Sequence, residues 1–103
     1  MGRVSARYAG LSRAQLERIE ALTVRLHEQT QARSVIVTLN GGTAIAKAGD
    51  AQPSAALQSF SEKVAGRLKV DVAFDDTTTL GLVRLRLKYF SEEMEKIVLT
   101  EQS

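Results

Sequence analysis

The chain has no cysteine, no tryptophan, one proline and one histidine in 103 residues, and only 5% of it is aromatic. Without cysteine there is neither a disulfide framework nor a thiolate metal site, so packing must hold the core. The single histidine, His27, cannot build a multi-histidine metal centre and has no nucleophile placed beside it by sequence, so it reads as a boundary residue on a helix. Scarce aromatics and a near balance of 14 basic against 12 acidic residues argue against a nucleic-acid binder, which needs a clustered basic face and stacking platforms. No apolar run is long enough to cross a bilayer and the first residues lack a signal-peptide core. A myristoylation start would need Ser or Thr at position 6, where Ala6 stands. The expectation is a cytoplasmic protein with no membrane insertion.

What is present describes one ordinary domain. A content of 44% hydrophobic and 25% charged residues is typical of globular chains, and at this length a single thin core is feasible. Residues 1–10 have no period and are expected to form a flexible tail, residues 11–99 the domain and residues 100–103 a second tail. Ser12 followed by Gln15 is a capping-box signature ahead of Leu16, Ile19, Leu22, Thr23 and Leu26, which share one helical face. The run 34–39 is β-branched and continuous, and Asn40-Gly41-Gly42 turns it back onto a second strand over 43–48, read as an edge guarded by Lys47. Pro53 suits the first turn of another helix, with Leu57, Phe60 and Val64 at i, i+3, i+7 and Gly66 as its stop. Leu68, Val70, Val72 and Phe74 then alternate with Lys69, Asp71 and Ala73 as a strand.

The segment from Phe74 to Ile97 offers two periods. Val83, Leu85, Leu87 and Tyr89 alternate with basic residues, yet Leu80, Val83, Leu87, Phe90, Met94 and Ile97 recur at steps of three and four over a longer span. The longer pattern predicts a helix, capped by Asp76, Thr77 or Thr78. Leu82, Leu85 and Tyr89 form a second apolar row nearly opposite the first, which marks either a sandwiched helix or a partner surface. Arg84, Arg86 and Lys88 read as a solvated face. Asp75-Asp76 is the only adjacent acidic pair with a conceivable catalytic or metal role, and its place at a helix start favours capping. No enzyme mechanism, metal or cofactor is expected.

The run Asp75-Asp76-Thr77-Thr78-Thr79-Leu80-Gly81-Leu82-Val83-Arg84-Leu85-Arg86 resembles the last strand-to-helix passage of bacterial roadblock-domain proteins, in particular the MglB-like regulators of small Ras-like GTPases. That resemblance implies a five-stranded antiparallel sheet with the first and last helices on one face and the middle helix on the other. With Gly66 so close to Leu68, the third and fourth strands have no residues to form them. The expected fold is therefore a shortened roadblock-like α+β domain in the order α-β-β-α-β-α, with a three-stranded antiparallel sheet and helices on both faces. In that layout the strand Leu68 to Phe74 is an uncovered edge, and Leu68, Lys69, Val70, Asp71 and Val72 are candidates for pairing with another chain.

The resemblance further implies a non-catalytic homodimer that docks on a Ras-like GTPase and promotes hydrolysis by reorganising the partner's own residues. The matching middle-helix positions are Ser54, Leu57, Gln58 and Ser61, with Leu82, Leu85 and Tyr89 as a further partner surface. A dimerising scaffold that pairs with another roadblock protein, without acting on a GTPase, is the alternative.

Overall fold

The computed structural model describes residues 7–8, 10–40 and 42–100. Along the chain run β1 (Arg7–Tyr8), β2 (Leu11–Ser12), α1 (Arg13–Thr30), β3 (Ser34–Leu39), β4 (Thr43–Gly49), β5 (Gln58–Val64), β6 (Leu68–Phe74) and α2 (Leu80–Leu99). The expected N-terminal tail thus includes a short ladder, Arg7 opposite Ser12 and Tyr8 opposite Leu11. Most of that tail, and residues 101–103 of the other, lie outside the described residues.

The main sheet has four antiparallel strands in the order β4-β3-β6-β5. In the β3–β6 ladder Val35 pairs with Val72, Val37 with Val70 and Leu39 with Leu68, so their side chains share one face. All six are buried, and α1 and α2 close over them with Ile19, Leu26, Val83, Leu87, Phe90 and Met94. Because strand side chains alternate, Ile36, Thr38, Lys69 and Asp71 occupy the opposite face, where no described helix packs.

Both helices start as their sequences dictate. Ser12 Oγ accepts from the Gln15 amide at 3.1 Å while Gln15 Oε1 accepts from the Ser12 amide at 2.7 Å, a complete capping box. The α2 cap is Thr79, whose Oγ1 accepts from the Leu82 amide at 3.2 Å, one residue beyond the expected candidates. The shift has a local cause: Asp75 uses its carboxylate and carbonyl on the amides of Thr77 and Thr78, closing a tight turn before the helix can begin.

Three corrections concern the middle of the chain. No helix runs from Pro53 to Gly66; residues 50–57 form an irregular connection, and 58–64 are strand β5. The sheet therefore has four strands, with both described helices on one face. Leu68, Lys69, Val70, Asp71 and Val72 are not on an edge, because β6 is laddered to β3 on one side and β5 on the other. The physical reason lies in residues 58–67. Three apolar side chains make a marginal short helix, whereas seven cross-strand pairs with β6 satisfy the backbone on that side. Ala65 and Gly66, at φ +55° and +69°, take the signs of a type I′ turn, and the Arg67 amide donates to the Val64 carbonyl at 3.0 Å.

Candidate interaction surface

The core-facing stripe of α2 fixes what its other side shows. With Val83, Leu87, Phe90, Met94 and Ile97 buried, Leu85 is 64% and Tyr89 52% exposed, and Leu82 is half-buried. Tyr89 sets its ring edge-on to Phe90, with centroids 5.2 Å apart and planes at 89°. That contact braces an exposed aromatic against the core and lowers the entropy it would lose on docking. The second apolar row read from the sequence is thus presented outward.

The flank of α2 overhangs β5. The Arg84 guanidinium lies 5.8 Å from the centre of the half-buried Phe60 ring, and Phe60, Glu62, Arg84, Leu85 and Lys88 line an open cleft of about 420 Å³. A smaller cleft of about 300 Å³ between the helices is lined by Arg18, Leu22, Glu93, Lys96 and Thr100 among others.

The positions expected on one middle-helix face are dispersed. Ser54 lies in the connection, where its carbonyl accepts from the Leu57 amide at 3.2 Å, while Gln58 and Ser61 lie on β5. By strand alternation Gln58 is on the helix-covered face and Ser61 on the other, where its hydroxyl donates to Asp71. Sequence reasoning missed Phe60, Glu62, Arg84 and Lys88 as a group. The signal was the alternation of Phe60, Glu62 and Val64 with Ser59, Ser61 and Lys63, a strand period that puts Phe60 beneath α2.

Asp75, the first of the acidic pair before α2, is architectural. Asp75 accepts from the Thr77 amide at 3.0 Å and from Arg33 Nε at 2.6 Å, tying the start of β3 to the turn. The Thr77 amide first, then Arg33 and the Thr77 hydroxyl, hold its carboxyl at about 2 instead of 3.8. A carboxylate locked ionised in this way is a poor general acid or base near neutrality. His27 sits against Gly49, and among the described residues no group of three or more His, Asp or Glu side chains is placed to hold a metal ion. Among the described residues no helix is long and apolar enough to cross a membrane.

The β4-β3-β6-β5 sheet, two helices on one face and the strand-to-capped-helix passage into α2 match a roadblock-type α+β fold that, among the described residues, has four main-sheet strands and no middle helix. Its structural neighbours include MglB proteins. Myxococcus xanthus MglB is similar over 82% of this chain and 97% of its own, at 25% identity and a TM-score of 0.70. The gliding protein MglB of Thermus thermophilus aligns over 85% of this chain and 93% of its own, at 16% identity and a TM-score of 0.76. An MglB described as having a tetrameric arrangement aligns over 84% and 91%, at 15% identity and a TM-score of 0.70. No family model and no curated protein sequence matches the chain.

Proposed function

We propose that this chain is a non-catalytic roadblock-type regulator or adaptor that docks on a small Ras-like GTPase and promotes hydrolysis of the bound GTP. The observation that carries the reading is the likeness to MglB across more than four fifths of the chain. The outward row Leu82, Leu85 and Tyr89 supplies a surface on which such a partner could be held, with Ser54, Leu57, Gln58 and Ser61 as secondary positions. The chemistry would belong to the partner: a switch segment ordered by docking positions water and charge for phosphoryl transfer. The homodimer and cytoplasmic setting implied by the resemblance belong to this proposal, and light scattering tests the first.

Single-turnover GTP hydrolysis by the cognate Ras-like GTPase, with and without this chain, is the deciding measurement. Acceleration that disappears in the Leu85→Ser/Tyr89→Ser double variant supports regulation; both residues are exposed, so the variant retains the fold. Absence of binding rejects the reading. Binding with an unchanged hydrolysis rate favours the second reading, an assembly module that pairs with other roadblock proteins, to which the open side of β5 also points.

A further inference from the structure

We infer that the free side of β5, together with the α2 flank above it, is a docking site for one extended acidic segment of a partner protein, which adds a strand to the sheet. Two strands bound the sheet, and they are not equivalent. The β4 ladder to β3 is broken by a register shift between Val37 and Thr38, and an irregular edge of that kind resists strand addition. The β5 ladder to β6 runs through seven consecutive pairs, Gln58 with Phe74 to Val64 with Leu68, and no described strand pairs with its other side. A regular edge leaves a row of amides and carbonyls spaced to receive a strand.

What overhangs this edge selects the strand. An added strand would lie about 4.8 Å from β5. Its helix-side residues would enter the cleft lined by Phe60, Leu85, Arg84 and Lys88. The Arg84 guanidinium lies over the Phe60 ring, and among the described residues neither Arg84 nor Lys88 makes an ion pair. Against these two cations the cleft contributes one carboxylate, Glu62, so it is net positive over an apolar floor. A segment whose helix-side row, at positions i, i+2 and i+4, carries both acidic and aliphatic residues matches both features.

The same charges disfavour a second copy of this chain. Antiparallel pairing of β5 with itself about Ser61 would set Phe60 opposite Glu62 and bring two Arg84 and two Lys88 side chains to the seam, with only two Glu62 carboxylates between them. The seam would carry a net positive charge.

The test uses a labelled, end-blocked octapeptide whose odd positions alternate valine and glutamate with threonine at the even positions, and its counterpart with lysine for glutamate as control, titrated by fluorescence anisotropy against the full chain. The glutamate peptide is expected to bind at least about tenfold more tightly than the lysine peptide, and the Arg84→Glu/Lys88→Glu variant to reverse that order. Arg84 and Lys88 are exposed, so this variant keeps the fold, which its circular dichroism would verify. Amide exchange should slow in β5 when the glutamate peptide is added. Equal binding of both peptides, no binding at millimolar concentration, or indifference to the charge reversal would overturn the inference. Slowing of β5 exchange on raising protein concentration with no peptide present would also overturn it, in favour of self-pairing. No GTPase enters the experiment, so its outcome is separate from that of the proposed function.

Discussion

At Gly49 the backbone has φ +81°, and a Cβ would stand 2.3 Å from the Arg33 carbonyl oxygen and 2.4 Å from His27 Nε2. The Asp50 amide donates to that same Arg33 carbonyl at 3.0 Å, so the backbone has little room to yield. Ala65 also has positive φ, at +55°, but its half-buried methyl group lies in a turn beside Gly66, against the margin of the core. There the residue is alanine where glycine would relax the strain. One sign of φ therefore predicts opposite effects. Gly49→Ala should cost about 2 kcal/mol or more, through strain plus a backbone clash. Ala65→Gly should stabilise the fold by about 0.5 kcal/mol or less, the left-handed penalty less the glycine entropy cost and the burial of part of a methyl group. Urea unfolding followed by circular dichroism reads both as shifts of midpoint at constant slope. A stabilised Gly49→Ala would mean that the end of β4 yields to the added methyl group.

Elements were legible where a local chemical signal agreed with the tertiary environment. Ser12 and Gln15 announced α1 by spacing, and the three-and-four recurrence from Leu80 to Ile97 announced α2 over the competing alternation. β5 was misread because Glu62 sits on its helix-covered row, so that row reads Phe60, Glu62, Val64 and lacks the clean binary pattern of β6. Leu57, Phe60 and Val64 imitated a helical stripe. The misplaced element then displaced the site: edge character was assigned to β6, and the cleft between Phe60 and Arg84 could not be seen. The second role of Gln15 was equally hidden, since only the packed structure brings it to the far end of α2. There Gln15 Nε2 donates to the Ile97 carbonyl at 2.9 Å across a buried helix–helix seam. One side chain thus caps α1 and pins α2. Gln15→Ala should cost about 2 kcal/mol, the sum of a lost cap and a lost buried hydrogen bond. Gln15→Glu keeps the acceptor for the Ser12 amide but, when ionised, faces the Ile97 carbonyl with an oxygen. If the Ile97 bond matters, glutamate should be as damaging as alanine at pH 7 and milder at pH 4, where its protonated form can donate. A glutamate variant as stable as the wild type at both pH values would show that the cap alone carries the effect.

For the molecule as a whole, the decisive asymmetry is that the described helices cover one face of the sheet. Adjacent β3 residues sample the two sides: Val37 is fully buried beneath the helices, while Ile36 lies on the other face between Lys47 and Asp71 on the neighbouring strands and is only half-buried. Threonine preserves β-branching at either site, so strand propensity drops out of the comparison and burial remains. Val37→Thr places a hydroxyl in the core, where an unpaired polar group costs about 1–3 kcal/mol. Ile36→Thr loses part of a half-exposed aliphatic chain and lets the hydroxyl meet water, an effect of about 1 kcal/mol or less. Chemical denaturation of the isolated chain should therefore separate the two variants clearly, with Val37→Thr the weaker. Should Ile36→Thr prove as costly as Val37→Thr, and more so as protein concentration rises, the open face is covered in solution by another copy. The outer row Ile36, Thr38, Lys69 and Asp71 would then be an interface in place of a solvated surface.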